Sequence, residues 1–181
     1  MTTILKLATY TALALSTVAA AQATPRGAVA RPDRKAARDY PHPPLVKLVL
    51  DLNSPSATAS EVNPGLTAIA NLIRRYGSFD GESPQLQIVV VLHAASIDLA
   101  LDAAASARRN AGAINGSIRL MHDLAAEGVM FVVSQESLAA RHIEENDVQD
   151  IIHFGPTASI IFLDLEAGGY VFDGSKGLEA D

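Results

Sequence analysis

The chain has 181 residues, 49% of them hydrophobic and only 5% aromatic, with 14 Lys and Arg against 20 Asp and Glu. That is material for one domain with an aliphatic core, and an acidic balance that disfavours nucleic acid and anionic lipid surfaces as partners. There is no cysteine, which excludes disulfides, persulfide chemistry and thiolate metal sites.

Residues 1–23 read as a secretory signal. Lys6 lies in a short basic leader, Leu7 to Ala21 is apolar, and Ala21 and Ala23 supply small residues for a cleavage site. The apolar run is too short and too rich in Ala and Thr for a stable span, and no later run is long enough, so no membrane span is expected after cleavage. Residues 24–44 form a Pro-rich segment in which Arg26, Arg31, Arg34, Lys35 and Arg38 face only Asp33 and Asp39. Its prolines block helix and ladder hydrogen bonds, so it is expected to be a linker or a surface arm. Everything from Leu45 onward is strongly acidic.

From Leu45 the pattern alternates. Leu45–Leu52 reads as a strand, followed by the loop "NSPSATAS". Asn63 and Pro64 open a helix as N-cap and first helical residue, with Leu66, Ile69, Ile73 and Tyr76 on one face and Gly77 at its end. Leu86–Ala94 is apolar almost throughout, as a strand covered on both faces should be. "SIDLALDAAASARRNAG" is a helical stretch. Asn115 is the expected cap of the next helix, which carries Ile118, Met121 and Ala125 and closes at Gly128. Val129–Val133 predicts a third strand, "SLAARHI" a short helix, and Ile151–Gly155 a fourth strand. Pro156 and Thr157 start a helix with Ile160, Ile161 and Leu165, and "GGYVFDG" gives a turn and a last short strand. Strands alternating with helices imply a three-layer α/β/α sandwich on a mainly parallel five-stranded sheet. The domain is expected over residues 45–174, with a frayed tail at 175–181.

Four blocks carry a resemblance: "VKLVLDLNSP", "NPGLTAIANLIRRYG", "LQIVVVLHAAS" and "AAEGVMFVVSQESLAARHI", with "LEAGGYVF" closing the series. In that order they resemble the DsrE/DsrF-like sulfur-relay family over about residues 45–173, especially its exported, stand-alone members. The resemblance implies that fold, a periplasmic location and homo-oligomers, often trimers or hexamers. Relay members carry sulfur as a persulfide on a cysteine at a strand end. The matching position here is Ser134, and a hydroxyl has no comparable chemistry. The resemblance therefore transfers the architecture and not the reaction.

Asn53, His93, Ser134, Gln135 and His153 fall at or just past predicted strand ends, which gather along one sheet edge and form the candidate pocket. Such groups equally serve as strand caps. Ser134 as nucleophile with His93 as base and Asp51 or Asp147 as orienter has the role types of an acyl-transfer triad. It lacks the G-x-S-x-G turn that would expose the serine. His93, His122, His142 and His153 show no recognised zinc spacing. No cofactor and no dedicated metal site are expected. Arg74-Arg75 and Arg108-Arg109 read as solvated helix ends. "SIDLALDAAASA" and "TASIIFLDL" hold more apolar positions than one core-facing stripe needs, which points to a subunit interface. The expectation is a non-catalytic exported homo-oligomeric scaffold or binding module with a small ligand or protein as partner. The alternatives are binding of a small molecule or sulfur species, and an enzyme using Ser134 and His93.

Overall fold

The computed structural model describes residues 45–77 and 85–173. The expected signal segment, the basic leader and the tail lie outside them. Strand β1 (Leu45–Leu52) is followed by α1 (Pro64–Gly77), β2 (Gln85–Leu92), a 3-10 helix (Ala94–Ala100), α2 (Ala103–Arg109) and α3 (Ile118–Ala126). Then come β3 (Met130–Ser134), α4 (Gln135–Ala140), a short 3-10 turn (Glu145–Asp147), β4 (Ile152–Gly155), α5 (Ala158–Ala167) and β5 (Val171–Asp173).

The local signals explain most boundaries. Asn63 Oδ1 accepts from Gly65 N at 2.9 Å, so Asn-Pro starts α1 as its side chains dictate. Thr157 does the same for α5, accepting from Ile160 N. The single helix expected between His93 and Gly112 is instead two. Leu101 is extended and bridges to Val148, and Asp102 caps a new helix through Ala105 N. Asn115 does not cap α3. Ser117 holds the N-cap position, and Asn115 binds Ser117 N and Leu99 O instead. The third strand runs one residue further than expected, because Ser134 is both its last residue and the N-cap of α4.

The sheet order is β4-β3-β2-β1-β5, and every pairing is parallel. This order fixes the layers. From β1 to β4 the chain steps in one direction, so right-handed crossovers place α1 to α4 on one face. From β4 to β5 it crosses back, which sends α5 to the opposite face. The cores follow. Leu50, Leu52, Ile88, Val90, Leu92, Phe131 and Val133 pack with Leu66, Ile69, Met121, Leu124 and Leu138 of the four-helix side. The alternate strand residues Val49, Val89, Val91 and Val132 lie under Ile161 of α5. Each such valine contributes roughly 1.5–3 kcal/mol when taken from water.

The two stretches with excess apolar residues part company here. Ile97, Leu99, Ala100, Leu101 and Ala105 are all buried within this chain. The tighter 3-10 turn and the extended Leu101 aim these side chains into the same core, so the excess apolar residues of "SIDLALDAAASA" are taken up within the chain rather than left for the interface that the sequence suggested, and only Ala103 and Ala104 among its apolar residues are exposed. The last helix differs. Ile161 is buried, but Ile160 and Leu163 are 43% and 64% exposed.

Candidate functional site

In a doubly wound sheet, ligands bind beyond the carboxyl ends of neighbouring strands that send their helices to opposite faces. In this topology that point lies between β3 and β4. Their final residues, Ser134 and Gly155, are register partners. The crevice is closed. Ser134 is 0% exposed, and its Oγ accepts from Ser137 N at 3.3 Å. Glu136 N donates to Pro156 O at 3.1 Å and ties the two chain segments together. Gly155 is buried, and a Cβ there would stand 2.5 Å from Ile161 Cγ1, so α5 rests directly on the backbone. Ser134 thus sits beneath the surface as a helix cap.

A second cluster forms at the ends of β1 and β2. Asp51 pairs in register with Val91, and His93 lies two residues further along. Both side chains therefore rise toward α5 as diagonal neighbours. His93 Nε2 meets Asp51 Oδ1 at 2.6 Å, and Asn53 Nδ2 donates to Asp51 Oδ2 at 3.2 Å. The imidazole stands edge-on to Phe162 of α5, with centroids 6.0 Å apart, and Phe162 packs in the same way on Phe172 of β5. The backbone beneath is pinned by Ser96. Its Oγ accepts from His93 N at 3.2 Å and bonds to the carbonyl oxygens of His93 and Leu52. Ala94 then turns the chain with φ at 52°, in the left-handed region.

The five strand-end residues therefore separate. Asn53 and His93 are joined through Asp51. Ser134 is buried, and no hydrogen bond among the described residues links it to His93. Gln135 is exposed and donates from Nε2 to Glu145 Oε1 at 2.9 Å. His153 is exposed on the edge strand β4, level with Asp51 but three strands away, about 14 Å at ordinary strand spacing. Asp147, the other proposed orienter, is bound to Arg108 at 2.5 Å. Arg109 donates to the carbonyl oxygens of Arg141 and His142. Arg108 and Arg109 thus clamp the segment that follows α4, where the sequence suggested free solvated charge. His122 and His142 are exposed, and no group of three metal-ligating side chains forms among the described residues.

Chemically, the Asp51–His93 pair fixes one imidazole tautomer and orientation. Nδ1 of His93 has no partner among the described residues. The pair can hold or orient a guest with one hydrogen-bonding group. Among the described residues no hydroxyl is hydrogen-bonded to the imidazole, as an acyl-transfer nucleophile would be. Asp51 is the member that the strand-end survey passed over, except as a triad orienter. The signal that finds it is strand parity, which puts residues 51 and 93 on one face of neighbouring strands.

The comparisons agree with this architecture. No curated protein matches the chain. Among solved structures, a protein of unknown function, MTH1491 from Methanobacterium thermoautotrophicum, is similar at 12% identity with a TM-score of 0.51. The match covers 70% of this chain and 96% of that one, and it shows a shared fold. The model of the DsrE/DsrF-like family matches residues 46–171, nearly the whole of the sheet and its helices. With that match and its five parallel strands, this chain belongs to the DsrE/DsrF-like family.

Proposed function

We propose that this protein is a non-catalytic, exported member of its family that acts as a homo-oligomeric scaffold or binding module in the periplasm. The observation that carries this is the closed crevice between β3 and β4. Ser134, which the sequence resemblance aligns with the relay cysteine, is fully buried and spends its hydroxyl on capping α4. Oxygen in place of sulfur removes the nucleophile, and burial removes access. The signal-like residues 1–23 support export. Exposed apolar side chains on α5 and β5, Ile160, Leu163 and Phe172, support self-association.

The test restores sulfur at that position. In Ser134→Cys, the folded protein is expected to gain no sulfur atom from a polysulfide donor by intact mass, and the thiol should react only once urea unfolds the chain. Rapid persulfide formation on the native protein would mean that the crevice opens, and the scaffold role would fail. A second reading, binding of a small molecule or sulfur species, is favoured by the Asp51–His93 pair, whose Nδ1 is unsatisfied among the described residues.

A further inference from the structure

The loop between β1 and α1 runs from Asn53 to Asn63, longer than the two to six residues or so that usually join a strand to its helix. It is held in place at several points. Asn63 Nδ2 donates to Ser54 O at 3.0 Å, Gly116 N to Ala59 O at 2.9 Å, and Asn63 N to Ser117 Oγ at 3.0 Å. Gly116 has no room for a side chain, since a Cβ there would run into Ser60 O. Asn63, Asn115 and Ser117 are buried and bonded to one another or to neighbouring backbone, so the loop has a fixed polar foundation.

Beneath this loop, facing the 3-10 helix and α2, is a cavity of about 140 Å³. Its wall includes Ser56, Thr58, Asp98, Asn110 and the apolar Pro55 and Leu99. Some of its polar groups are not satisfied internally. Ser56 Oγ is shut off from solvent and has no hydrogen-bond partner among the described residues. The Asp98 carboxylate has no ion-pair or hydrogen-bond partner among them. Asn110 spends its Nδ2 on Ser106 O and leaves its Oδ1 toward no described donor. The Ser56 hydroxyl is out of reach of a water-sized guest, whereas Asp98 and Asn110 line the cavity. The free groups are mostly acceptors, and one carries a full negative charge.

We propose that this cavity is a binding site for a small organic ammonium, a primary amine on a short aliphatic stem. The ammonium supplies donors only, which is what Asp98 and Asn110 Oδ1 lack. The stem lies against Pro55 and Leu99. The volume sets the size, since an engineered cavity of about 150 Å³ holds benzene. The acidic body raises the local concentration of cations near the mouth. This site is separate from the Ser134 crevice and from the exposed face of α5, so it stands or falls independently of the scaffold role.

The test is a titration of the full chain with n-butylammonium chloride, followed by amide chemical shifts, with n-butanol and sodium butyrate as matched controls. Saturable shifts of Ser56, Thr58, Leu99 and Asn110 are expected with butylammonium, about tenfold weaker binding of butanol, and none of butyrate. Asp98→Asn should weaken butylammonium about tenfold without changing the urea midpoint. Absent or non-saturable shifts, equal binding of butanol, or unchanged affinity in Asp98→Asn would overturn the proposal. If Asp98→Asn does not fold, the wild-type contrast between amine, alcohol and acid decides alone.

Discussion

Single residues carry the contrast between the two strand-end clusters. Ser134 and His93 both end apolar strands, and both read as polar groups at a sheet edge. Their surroundings separate them, because Ser134 caps the helix that follows it whereas His93 is followed by a left-handed turn. Ala94 at φ 52° pays about 1–2 kcal/mol for that conformation relative to glycine. The position is exposed, so a glycine there removes no buried methyl. Ala94→Gly is therefore expected to raise stability by up to about 1 kcal/mol, after allowance for the greater entropy of the unfolded chain. A shift of the urea midpoint upward checks this. A downward shift would mean that the turn is not strained. The Asp51–His93 contact was legible only through strand register, since 42 residues separate the partners.

The element that decides the shape of the candidate site is α5. It is the one helix described on its side of the sheet, and it closes the crevice by lying on Gly155. The valine face beneath it is flat and β-branched, which suits close approach of a helix. Gly155→Ala would set a methyl 2.5 Å and 2.7 Å from the two outer carbons of Ile161. Such overpacking costs typically about 1–3 kcal/mol. Trimming the neighbour in Gly155→Ala/Ile161→Val should recover part of it, a coupling that a double-mutant cycle in urea measures directly. Additive effects would place α5 further from the sheet. The sequence placed this helix within two residues of its start, and its unusual all-round hydrophobicity was plain. Its position on the lone face was not written in its own residues. It follows from the chain stepping through four strands in one direction and then returning.

At the scale of the whole molecule, the exposed Ile160, Leu163 and Phe172 and the short edge strands bear on assembly. Lys47 guards the part of β1 that β5 leaves unpaired, with Nζ on Gly168 O at 3.0 Å and over the Tyr170 ring. A lysine on an open edge discourages strand-to-strand pairing, so association is expected through the apolar face of α5. Light scattering on residues 24–181 should give a homo-oligomer at micromolar concentration. Leu163→Glu should reduce it to a monomer of unchanged stability, because that side chain is 64% exposed in the single chain. A monomeric wild type contradicts the assembly. The sequence by itself determined the alternation of strands and helices, the aliphatic core and the absence of a cysteine thiol, because periodicity, caps and composition are local properties. Only the tertiary structure decided which strand ends adjoin, that Ser134 is sealed and that Asp51 holds His93. Those facts depend on the order of strands in the sheet, and that order is settled by long-range burial that no short window of sequence contains.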